Sequence, residues 1–168
     1  MKDNIILIGM PGCGKSTIGV LLAKNLAYGF LDSDLVIQEQ SGRKLQEMID
    51  EMGPEAFSAF EDAVNATLIP HNTVIATGGS AVYGARAMEH FKEIGTVVYL
   101  KASYETIEKR IRNFETRGIV IPEGQTFRDV YNERTALYEK YADITVDVDA
   151  DKADIWDVVE AITSNLNH

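Results

Sequence analysis

The sequence predicts an α/β fold, a parallel sheet covered by helices on both faces, and three observations carry that prediction. Short β-branched or apolar runs alternate with stretches of helical period along the whole chain. The first run, Ile5-Ile6-Leu7-Ile8, passes straight into a glycine-rich turn and then a helix start. Asp32-Ser33-Asp34 and Gly78-Gly79 stand directly after two later runs, at the strand ends where ligands of open α/β sheets gather.

The opening strand covers residues 5–8, and residues 9–17 read GMPGCGKST, with the spacing GxxxxGKS. Glycines there let backbone N–H groups curl around phosphate oxygens, and the helix start that follows adds its partial positive charge. Gly12, Cys13, Gly14, Lys15, Ser16 and Thr17 form the expected nucleotide-binding set. Lys15 reaches the outer phosphates, and the Ser16 hydroxyl sits on Mg²⁺. The spacing therefore points to a nucleoside triphosphate with Mg²⁺.

A helix follows over 18–26, then a short strand over 28–31 that ends at Asp32. Helices are expected over 35–40, 44–52 and 55–68, with Ser41-Gly42 and Gly53-Pro54 as breaks. Thr73-Val74-Ile75-Ala76-Thr77 reads as a buried parallel strand. A helix over 85–94, a strand over 95–100 and a helix over 103–114 come next. Residues 115–127 hold Gly118, Pro122 and Gly124 without a clean period and read as a mobile loop. A helix over 128–141, a strand over 144–148 and an amphipathic helix over 153–166 complete the pattern.

At 168 residues the chain fits a single domain, residues 1–168, and its 45% hydrophobic and 25% charged composition is that of a soluble globular protein. A net charge of −10 argues against nucleic-acid binding, which needs a basic face to displace counterions. No stretch approaches membrane-spanning length, and the first apolar run is too short for a signal sequence. Cys13 is the single cysteine, which excludes an internal disulfide and fits a reducing cytoplasm. A cytoplasmic monomer is the expectation. The three histidines show no metal-ligand spacing.

Phosphoryl transfer is mostly positioning and charge neutralisation, and the residues around the loop suit it. Asp32 is placed to hold metal-bound water beside Ser16, and Asp34 to accept hydrogen bonds from substrate hydroxyls. An Asp-Ser-Asp helix cap is the other reading of that run. Arg117, in the glycine- and proline-containing loop, is a cation that a closing lid brings onto the phosphates. Arg134, on the next helix, suits a bidentate grip on a substrate carboxylate. Gly78 and Gly79 offer backbone N–H groups for close approach. Lys15, Asp34 and Arg117 are the catalytic set.

With these pieces in place the chain resembles the shikimate kinase family over essentially its whole length. The resemblance rests on GMPGCGKST, the DSD of Asp32-Ser33-Asp34, the SGR of Ser41-Gly42-Arg43, and the segment from Phe57 to Glu61. Gly78-Gly79, Arg110, Arg117 and the RTALY that begins at Arg134 complete it. It implies a three-layer fold with a five-stranded parallel sheet, a lid over about 113–127 and a substrate-binding region over about 33–62. It also implies transfer of the γ-phosphoryl of ATP to a hydroxyl of shikimate, with Mg²⁺. By the same resemblance Asp34 holds substrate hydroxyls, Arg134 the carboxylate, Gly79 makes a backbone contact, and Arg110 lies against adenine.

Three departures fall in or beside the acceptor half. Ser58 stands where the family has an arginine that grips the carboxylate, close to Glu61. The glycine triplet reads Gly78-Gly79-Ser80, and the lid signature reads Arg117-Gly118-Ile119-Val120. A charge-assisted contact contributes ~1.5–3 kcal/mol, so its loss weakens acceptor binding by about one to two decades. The expectation is a shikimate-kinase-like enzyme with weak or no use of shikimate, acting on a small polyol or hydroxy compound, one with an amine or one lacking a carboxylate. Ser58, Glu61, Gly78, Gly79, Asp34 and Arg134 are the expected acceptor-binding residues. True shikimate kinase activity with Arg134 compensating, a gluconate-kinase-like specificity, and a non-catalytic ATP sensor are the competing readings.

Overall fold

Five parallel strands stand in the order β2-β3-β1-β4-β5, with β1 (Asn4–Ile8) at the centre. The computed structural model describes residues 2–112, 119, 121–149 and 154–166. Arg117 and the first part of the expected lid, residues 113–118 and 120, lie outside them, as do the last residues of the helix expected over 103–114. All five residues of β1 are buried, because both faces of the sheet are covered. β1 pairs with β3 (Thr73–Ala76) on one side and β4 (Gly95–Lys101) on the other, with Ile6 beside Ile75 and Val97. β2 (Gly29–Asp32) flanks β3, and β5 (Ile144–Asp147) flanks β4.

This order places the carboxyl ends of β1, β2 and β3 side by side, so the glycine loop, the aspartates and Gly78-Gly79 open onto one crevice. The helices are α1 (Lys15–Leu26), α2 (Ser33–Ser41), α3 (Leu45–Asn65), α4 (Ala85–Ile94), α5 (Tyr104–Arg112), α6 (Phe127–Tyr141) and α7 (Ile155–Leu166). The main core lies between sheet and helices and includes Ile6, Leu7, Ile75, Val98, Phe91 and Ile162. A second, smaller core of Ile37, Met48, Phe57 and Val64 joins α2 to α3. The region expected to hold the acceptor therefore has its own packing anchor.

Several boundaries differ from the sequence expectation. α1 begins at Lys15, three residues early, because the loop leads directly into the first turn. The helices expected on either side of Gly53-Pro54 form one continuous element with a kink. Gly53 takes φ 81° and ψ 165°, and Pro54 fits the first turn of the resumed helix. α6 starts at Phe127, because Thr126 and Asp129 cap each other's amides at 3.2 and 2.8 Å.

Candidate active site

A cleft of about 1100 Å³ lies at the carboxyl ends of β1–β3 and runs from the glycine loop to α3 and α6. At the loop end, Gly9, Gly12 and Gly14 adopt φ of 149°, 81° and 101°, a region that side-chain-bearing residues seldom occupy. A Cβ on Gly9 would stand 2.7 Å from the Leu100 carbonyl oxygen. The loop is closed by the Cys13 amide donating to the Met10 carbonyl at 3.1 Å. No side chain caps α1, whose N-cap is Gly14, so its first-turn amides suit an anion.

Lys15 is buried, and its Nζ donates to the Gly9 and Met10 carbonyls at 2.7 and 3.0 Å. The ammonium is thus held against the loop, beside the cleft that it lines. Cys13 is 1% exposed with its thiol in the core, so only its backbone can face a ligand. Arg110 Nη1 donates to the Gly12 carbonyl at 2.8 Å, which fixes this residue against the outer side of the loop. Thr17 lines the cleft one residue beyond Ser16.

Asp32 serves both readings of the aspartate pair at once. Its Oδ1 accepts the Asp34 amide at 2.9 Å as the N-cap of α2, while Ser16 Oγ donates to its Oδ2 at 3.2 Å. A hydroxyl and a carboxylate oxygen joined beside the phosphate loop are hard donors of the kind Mg²⁺ takes, with phosphate and water completing its shell. The residues present therefore fit that ion.

The other end of the cleft is built around two more carboxylates. Burial, and then the neighbouring Asp32 charge, push Asp34 up to about 6, against the pull of Lys15. Burial pushes Glu61 up to about 7; the Ser80 hydroxyl bond and Arg134 oppose it, and Asp34 and Asp62 add to it. Ser80 Oγ donates to Glu61 Oε1 at 2.8 Å. A Cβ at Gly78 would lie 2.7 Å from Asp34 Oδ1 and 3.0 Å from Glu61 Oε2, so both carboxylates converge on this glycine.

Arg134 comes from α6 with 5% exposure, its guanidinium 5.5 Å from the centre of the Tyr83 ring and its Nε without a hydrogen-bond partner. Gly79 lets it approach: a Cβ there would stand 3.1 Å from Arg134 Nη1 and 2.6 Å from the Pro11 ring. Gly79 thus joins the glycine loop to the far end of the cleft. The Tyr138 hydroxyl donates to the Gly79 carbonyl at 2.5 Å and holds that junction. Ser58 lines the cleft one helical turn before Glu61.

The structure brings together every expected site residue that it describes, with Arg110 at the edge. Sequence reasoning missed the second wall of the acceptor end, where the Tyr83 hydroxyl donates to Glu133 at 2.6 Å. It also missed Ser80 as the donor to Glu61. The spacing of four between Arg134 and Tyr138, which puts both on one face of α6, was a signal for the tyrosine; the others had none.

A glycine loop at the head of a parallel sheet, a serine-aspartate pair beside it and a carboxylate-lined acceptor end define a P-loop phosphotransferase of small molecules. The family model described as "Shikimate kinase" matches residues 11–166. The shikimate kinase of Thiobacillus denitrificans is 37% identical over 87% of this chain and 81% of its own. That of Chlorobium chlorochromatii is 35% identical over 96% and 90%. The solved shikimate kinase of Acinetobacter baumannii in complex with shikimate superposes with a TM-score of 0.86 at 30% identity, covering 99% of this chain and 94% of that one. The chain belongs to the shikimate kinase family, and it is a phosphotransferase that uses ATP and acts on a hydroxyl.

Proposed function

We propose that this protein transfers the γ-phosphoryl of ATP to a hydroxyl of shikimate or of a close carboxylated analogue, using shikimate weakly. The observation that supports this reading best is that Asp34 and Arg134, one carboxylate and one buried cation, both line a cleft that begins at the phosphate loop. The amides of α1 and Lys15 hold the phosphate tail. Ser16 and Asp32 hold Mg²⁺, which when bound neutralises phosphate charge. Arg110 borders the nucleotide, and Arg117 is the lid cation.

Asp34 receives the acceptor hydroxyl and orients it. Pushed up to about 6, it is chiefly ionised at pH 7 to 8 and can take the hydroxyl proton as the oxygen attacks phosphorus. Arg134 takes the acceptor carboxylate, and Gly79 keeps space for it. Ser58 supplies no second cation, so the grip on the carboxylate is weaker than a paired-arginine site would give. The protein acts as a cytoplasmic monomer.

An ADP-release assay over shikimate and related hydroxy acids tests this. Asp34→Asn is expected to lower kcat/KM by about two to four decades while calorimetry still records Mg-ATP binding. Acceptor-stimulated turnover that survives Asp34→Asn would remove Asp34 from its assigned role.

A further inference from the structure

Two opposite charges, each more than nine-tenths buried, line the acceptor end without pairing with one another. Glu61 is 2% exposed and Arg134 5%. They sense each other's field, yet no ion pair within 4.0 Å joins them, and neither has another ion-pair partner among the described residues. Buried charges are ordinarily paired, because an isolated one forfeits its hydration without return. Glu61 has one hydrogen bond, from Ser80 to Oε1, while Oε2 turns toward Gly78 beside Asp34 Oδ1. Arg134 Nε has none.

The remaining charges facing this end do not resolve the imbalance: Lys44 and Glu55 line the cleft but are exposed to solvent, and neither forms an ion pair with Glu61 or Arg134. Glu133 is engaged by Tyr83, and Asp62 Oδ1 accepts the Ala87 amide at 2.8 Å. Lys15 is held by loop carbonyls at the opposite end. Ser58, one turn from Glu61, is neutral. A ligand that satisfies both buried groups has an anion at one end and a cation beside its reacting hydroxyl.

We infer that the preferred acceptor is a zwitterion, a carboxylated amino alcohol whose ammonium sits on Glu61 Oε2 next to the hydroxyl that Asp34 orients, with its carboxylate on Arg134. This rests on the phosphotransferase reading above and narrows its substrate class. Because the Asp34 and Glu61 oxygens meet at Gly78, the amine and the phosphorylated hydroxyl belong on adjacent carbons. The transferred group is unchanged: the hydroxyl oxygen bonds to phosphorus, the bond from phosphorus to the ADP oxygen breaks, and the hydroxyl proton passes to Asp34.

The test measures kcat/KM at pH 8 with Mg-ATP for three acceptors. They are shikimate, an analogue of shikimate with an amine in place of the ring hydroxyl next to the reacting one, and serine. At least one amine-bearing acceptor is expected to exceed shikimate tenfold or more. In Glu61→Gln the ratio of amine acceptor to shikimate should fall at least tenfold, mainly through KM. Ser58→Arg, which supplies Glu61 with an internal cation, should lower the same ratio and raise shikimate use. Calorimetric Mg-ATP binding shows that each variant is folded, and either variant alone suffices for the comparison. If the unaltered protein uses shikimate as well as every amine-bearing acceptor, or better, the zwitterion inference is overturned and the phosphotransferase reading stands. No turnover with any acceptor despite Mg-ATP binding would overturn both.

Discussion

Replacing Glu61 by glutamine should stabilise the unliganded protein in alkaline solution and do little in acid. Burial is the main reason that Glu61 rises from 4.5 to about 7. Each tenfold gain in proton affinity is worth about 1.4 kcal/mol, so ionising this side chain costs the folded state roughly 3 kcal/mol relative to the unfolded chain. A carboxyl that holds its proton more tightly when folded contributes its full stability below the unfolded value of 4.5 and loses it as pH rises toward 7. Glutamine keeps an oxygen to accept the Ser80 hydroxyl and never ionises. Its advantage should therefore grow between pH 4.5 and 7 and then level off. For a chain of this length 1 kcal/mol moves Tm by about 2–4 °C, so a gain of several degrees is expected at about pH 8 and close to none at about pH 4.5. Melts followed by circular dichroism at both pH values, without nucleotide, measure it. A variant no more stable than the parent at the higher pH, or one equally stabilised at both, would refute the view that Glu61 is a buried carboxylate without a cation.

Three further outcomes follow from contacts in the cleft. Gly79→Ala would drive a methyl to 2.6 Å from the Pro11 ring, an overpacking that costs about 1–3 kcal/mol; a drop in Tm with weakened binding on calorimetric ATP titration is expected, and unchanged values of both would contradict the close approach. Lys15→Met removes the one ammonium at the phosphate loop and should lower kcat by about two to three decades, read in the ADP-release assay. Tyr138→Phe deletes the hydroxyl that holds the Gly79 carbonyl at 2.5 Å; it should cost about 1 kcal/mol of stability in urea unfolding and raise KM for the acceptor more than for ATP.

The donor half of the site was legible because its chemistry is local. Nine consecutive residues specify strand end, loop and helix start, and Asp32 closes the next strand. Apolar and β-branched runs likewise marked every strand within a residue: β1 and β3 are buried at every position and so are largely apolar, and the partly exposed edge strands β2 and β5 keep shorter runs. The acceptor half was less legible because its contacts join distant segments. Ser80 meets Glu61 across 19 positions and Tyr83 meets Glu133 across 50, and no local period announces either. Gly53-Pro54 misled for the opposite reason: a local break signal was real, but the helix resumed at once around a single left-handed glycine. The serine in the glycine triplet looked like a loss. In the fold it is the donor to Glu61, the carboxylate that Ser58 leaves without a cation.

The central claim is that this cleft passes a phosphoryl group from ATP to an alcohol held by Asp34 and Arg134. Phosphorus NMR of Mg-ATP incubated with the three acceptors tests it most directly. ADP and a phosphate monoester should appear in equal amounts, only when an acceptor is present, and at least a hundredfold more slowly in Asp34→Asn. Inorganic phosphate as the sole product, at a rate indifferent to every acceptor and to that substitution, would contradict it.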